Sequence, residues 1–100
     1  MFKHLVFIKF KSDVPEERIQ AMEKGLGALP GIIPEIKFYD FGRDVVRSDR
    51  SYDFGLISHF DDQDALQRYG AHPEHQKVLQ IIREIAENIV AVDFVSELGD

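Results

Sequence analysis

The chain has 100 residues, 44% of them hydrophobic and 30% charged, with no cysteine and a formal net charge of -6. That length and composition suit one globular domain over residues 1–100, with a single modest core, and exclude a disordered or membrane-embedded chain. The acidic balance offers nucleic-acid phosphates no attractive field, and the lack of thiols removes disulfides, thiolate nucleophiles and sulfur metal ligands, which suits a cytoplasmic setting.

Residues 2–10 are almost continuously apolar and read as a strand buried on both faces, with His4, Val6, Ile8 and Phe10 on one side and Leu5 and Phe7 on the other. The apolar run Leu5-Val6-Phe7-Ile8 is closed by Lys9 and Lys11, too short for a signal peptide or a membrane span. Ser12 and Asp13 offer capping side chains, and Pro15, Glu16 and Glu17 suit a first helical turn. Ile19, Met22, Leu26 and Leu29 then repeat at helical spacing, predicting a helix over 15–28, weakened by Gly25 and Gly27 and ended by Pro30-Gly31. Residues 35–46 and 52–60 alternate as strands around a polar turn at 47–51, a hairpin. Asp61-Asp62 can cap a short helix carrying Ala65, Leu66 and Tyr69, and Pro73 opens a longer one in which Val78, Ile82, Ile85 and Ile89 keep the helical period. The last strand is predicted over 90–95.

The order β-α-β-β-α-β, with the second helix broken in two, predicts an α+β, ferredoxin-like four-stranded antiparallel sheet with helices on one face. Leu5, Phe7, Tyr39, Phe41, Ala91 and Val95 cannot all share that face with His4, Val6, Ile8, Val92 and Phe94, so a second apolar face is left over. A homodimer in which two sheets face each other would bury it.

Chemistry concentrates in Tyr69-Gly70-Ala71-His72-Pro73-Glu74-His75, which places a phenol and two imidazoles within about two helical turns. An imidazole that titrates near neutral pH beside a phenol able to donate to an oxyanion suits enolate chemistry without a cofactor. The plainer reading makes Tyr69 and His75 ties between the broken helix and the first strand. His72 and His75 with Glu74 also suggest a metal, but Pro73 lies between them, and the four-residue spacing of zinc hydrolases is absent; no catalytic metal is expected. Asp40-Phe41-Gly42 and Asp53-Phe54-Gly55 copy a kinase magnesium tripeptide without the rest of a kinase, and read as strand residues. Glu16-Glu17 and Asp61-Asp62 stand at helix starts, where capping and dipole effects account for them. His59 reads as a strand residue near a sheet end.

His4 with Lys9-Phe10-Lys11, residues 30–34, Phe41-Gly42-Arg43-Asp44, Tyr52-Asp53, Phe60, Tyr69 with His72-Pro73 and His75, and Asp93 together resemble the stress-responsive dimeric α+β barrel (Dabb) family over the whole chain. The resemblance implies a dimeric α+β barrel. Enzymatic relatives similar to plant polyketide cyclases close a linear poly-β-ketone by an intramolecular aldol step, which would make His75 the general base and Tyr69 its acidic partner, with His4 and His72 lining the same cavity. Where those cyclases hold an alkyl tail, this chain offers Leu26, Val78, Ile81 and Ala86. Some relatives bind magnesium in the loop after the first helix, here residues 31–35, in a structural rather than catalytic role. Two functions stay open: a cofactor-free small-molecule site of cyclase or lyase type, and a non-enzymatic stress-associated dimer.

Overall fold

The computed structural model describes residues 1–97 and has the ferredoxin-like α+β fold. Its elements are β1 (Phe2–Phe10), α1 (Glu16–Ala28), β2 (Phe38–Arg43), β3 (Phe54–Phe60), α2 (Gln63–Ala71), α3 (Pro73–Ile85) and β4 (Ala86–Val95), with a 3-10 turn over Leu29–Gly31. The sheet order is β2-β3-β1-β4, and every neighbouring pair is antiparallel. Met22, Leu26, Leu29, Val78, Ile82 and Ile85 from the helices and the turn close on Ile8, Phe54 and Phe60 of the sheet to form the core.

The register settles which side chains share a face. His4 stands opposite Ser58 and Asp93, and Val6 opposite Leu56 and Ala91, while Tyr39 and Phe41 stand opposite Ser58 and Leu56. Side chains directly across an antiparallel pair point the same way, so His4, Val6, Ile8, Tyr39, Phe41, Ala91 and Asp93 face the helices. The open face carries Leu5, Phe7, Phe38, Ile57, Val90, Val92 and Phe94, of which Phe7, Phe38, Val90, Val92 and Phe94 are exposed. A second apolar face therefore exists, but β2 and β4 contribute to it the residues opposite to those expected: Tyr39, Phe41 and Ala91 belong with His4, and Val92 and Phe94 with Leu5.

Three boundaries also differ from expectation. Neither Ser12 nor Asp13 caps α1; Pro15 holds the N-cap position without a side-chain bond, and Asp13 adopts a left-handed φ of 63° in the turn before it. β2 pairs only over Phe38–Arg43, because the Asp44 carboxylate accepts from the Arg47 backbone N–H at 2.7 Å and Arg47 takes φ 56°, turning the chain away. Ile89 continues the helical period of α3 but lies in β4, opposite Ile8. Asp62 caps α2 as its sequence suggests, accepting from the Ala65 N–H at 2.8 Å. Arg43 binds both Glu16 and Glu23, fastening β2 to α1.

Candidate functional site

Pro73 creates the site's local geometry. The residue before a proline is pushed out of the helical region, and His72 accordingly has ψ 134°, ending α2 and starting α3. Its Nδ1 accepts from the Glu74 N–H at 3.1 Å, making His72 the N-cap of α3. The break folds the first turn of α3 back on the last turn of α2, so the Tyr69 and His75 rings pack with centroids 4.3 Å apart.

His75 Nδ1 lies 3.0 Å from the carbonyl oxygen of Gly70. A carbonyl can only accept, so Nδ1 carries the proton and Nε2 keeps its lone pair. Burial holds the His75 pKa below its ordinary value of 6.5; the Gly70 bond opposes this, and the positive potentials of His4, Arg83 and His72 add to it. The ring is thus neutral at neutral pH. Tyr69 is buried, and its hydroxyl lies 2.7 Å from that of Tyr39 on β2. Burial pushes the Tyr69 phenol up to about 12, and burial and Tyr69 push Tyr39 higher still. When Tyr39 donates, Tyr69 retains its own proton for another acceptor. Tyr69 can therefore donate a hydrogen bond but is a reluctant source of a whole proton.

Between the helices and the sheet lies a cavity of about 220 Å³ in which His4, Tyr69 and His75 interrupt a wall that includes Val6, Leu26, Ile82 and Ala91. His4 enters from the central strand, with its Nδ1 bonded to the Asp93 carboxylate on β4. Of the candidate residues, His4, Tyr69 and His75 share this cavity, whereas His72 serves as a helix cap. Of the four residues offered for an alkyl tail, Leu26 lines it. The Tyr39 and Asp93 contacts were not legible in the sequence, because each depends on strand register; the signals for Asp93 were its place in the family resemblance and its being a carboxylate inside an apolar strand.

No group of three or more His, Asp or Glu side chains converges for a metal among the described residues. In the 31–35 loop the Glu35 carboxylate is held by Arg68 at 2.9 Å, which keeps its pKa low. Among the described residues no helix is long and apolar enough to cross a membrane.

A four-stranded antiparallel sheet with helices on one face and a polar-ended cavity beneath them defines a ferredoxin-like α+β protein. Residues 2–96 match the Stress responsive A/B Barrel Domain model, and the chain belongs to that family, Dabb. It is 36% identical over 93 residues to an uncharacterised protein of Streptomyces coelicolor, covering 91% of this chain and 96% of that one. It is 28% identical over 94 residues to olivetolic acid cyclase of Cannabis sativa, covering 92% and 93%. Among solved structures, a dimeric ferredoxin-like protein of unknown function from Thermobifida fusca superposes with a TM-score of 0.86 at 30% identity, covering 95% of this chain and 90% of that one.

Proposed function

We propose that the chain binds a small carbonyl or phenolic compound in the cavity between helices and sheet and moves a proton on it without a cofactor. The observation that carries this reading is the meeting of His4, Tyr69 and His75 in one apolar-walled cavity of about 220 Å³. Such a cavity supplies an imidazole to accept a proton and a phenol to hold the developing oxyanion, with little water to compete. Tyr69 and His75 are the reacting pair: the phenol donates to the substrate oxygen, and His75 Nε2 accepts the proton. Similarity over nearly the whole chain to a protein named a cyclase supports proton chemistry. Titrating isotope-labelled protein with acetylacetone, a small β-diketone, should move the resonances of Val6, Tyr69, His75 and Ala91 together, and Ala91→Phe should abolish the response. Shifts scattered over the surface, or none, would refute the reading.

The functional unit in this proposal is a homodimer joined through the open sheet face. Support comes from the exposed Phe7, Phe38, Val90, Val92 and Phe94 on that face and from the similar Thermobifida fusca structure, described as dimeric. One observation favours the non-enzymatic alternative. His75 Nδ1 and the Tyr69 hydroxyl are both bonded within the protein, to Gly70 and Tyr39, as ties between elements would be. His75→Ala separates the two readings: as a site residue it abolishes acetylacetone binding and leaves the melting temperature within a few degrees, whereas as a tie it costs about 1–3 kcal/mol of stability.

A further inference from the structure

Two imidazoles enter the cavity, and what stands behind each differs. Nδ1 of His75 is backed by a neutral carbonyl, that of Gly70, in buried surroundings. His4 is backed by a carboxylate, that of Asp93, directly across the β1–β4 pair, and its side chain is only 16% exposed. A ring that takes a proton becomes a cation. A carboxylate bonded to the opposite nitrogen stabilises that cation, whereas a backbone carbonyl in an apolar wall does so weakly.

We propose that His4 accepts the proton in this cavity and that Asp93 is its positioning residue, fixing the ring so that Nδ1–H donates to the carboxylate and Nε2 is the basic atom. The inference rests on the small-molecule reading of the cavity and gives the proton-accepting step to His4 in place of His75. His75 then stays neutral, which its lowered pKa suits, and its ring packs on Tyr69 to hold the phenol that orients the substrate. The ligand class follows: a compact carbon acid whose acidic C–H reaches β1 while its oxygen accepts from the Tyr69 hydroxyl on α2.

A suitable probe is 5-nitrobenzisoxazole, a small aromatic carbon acid. Nε2 of His4 takes the ring C–H proton, that electron pair completes the nitrile as the N–O bond breaks, and a cyanonitrophenolate leaves. With the full chain, His4→Gln should lower kcat/KM at least about tenfold, and Asp93→Asn should lower kcat by about three- to tenfold with KM little changed. His75→Gln should raise KM more than it lowers kcat. The opposite pattern, turnover kept in His4→Gln and lost in His75→Gln, would overturn the inference while leaving the cavity reading intact. Failure of the probe to bind, seen as unmoved Val6 and Ala91 resonances, would overturn both. A readout on the parent guards against misfolded variants: nitrogen resonances at pH 8 should show His4 protonated on Nδ1 and bare on Nε2. The reverse tautomer would overturn the assignment.

Discussion

His75 couples the site to stability through its charge. In the unfolded chain its imidazole takes up a proton as pH falls through about 6.5, whereas burial holds the folded ring neutral to lower pH. The unfolded state therefore binds the proton first, and stability falls on acidification from about pH 7 until the folded ring also protonates. His75→Gln should remove this part of the slope, so the drop in melting temperature between pH 7.5 and 5.5 should be smaller in the variant than in the parent; an unchanged drop would count against a buried neutral ring. At this scale the sequence was legible wherever partners are near in the chain. Tyr69 and His75 are six positions apart around a proline whose effect on the backbone is fixed by sterics. His4 and Asp93 are 89 positions apart, and Tyr39 and Tyr69 are 30 apart, so their meetings depend on register and helix docking.

Among the elements, α1 and α3 pack closely at Gly25, where a Cβ would lie 2.8 Å from Val78 Cγ2. Glycine to alanine in a helix interior ordinarily gains about 1 kcal/mol. Here the sign should reverse, because valine is stiff and overpacking costs about 1–3 kcal/mol. Thermal melting should show Gly25→Ala below the parent, and Gly25→Ala with Val78→Ala should recover part of the loss relative to Val78→Ala alone. The same glycine, read from sequence, only weakens a helix; the packing partner that explains it is invisible there. Periodicity also ran past its element at Ile89, since a residue four beyond Ile85 satisfies a helix and, in alternation with Val90, equally satisfies a strand. The element order and the two-faced sheet were legible because apolar patterning specifies them. The faces of β2 and β4 were not, because a strand apolar on both sides leaves its orientation to its neighbours.

For the molecule as a whole, the exposed sheet face sets the assembly prediction. Sedimentation at micromolar concentration should give twice the chain mass for the parent, and Val92→Lys, on the open face, should yield monomer or lose cooperative folding. A parent that sediments as a single chain would dismiss the dimer. Phe41, which the sequence grouped with that face, stacks on Phe54 with ring centroids 5.7 Å apart on the helix side, so a charge there should damage the core instead. The pleat of β1 divides these concerns by parity. Its even positions, His4, Val6 and Ile8, serve the cavity; its odd positions, Leu5 and Phe7, serve the outside. Point changes can therefore alter the cavity wall and the open face independently. Deleting one residue early in β1, by contrast, would exchange the two sets at a stroke, sending an imidazole outward and a phenylalanine into the space a ligand would need. Variation in this strand is thus free in letter but not in count.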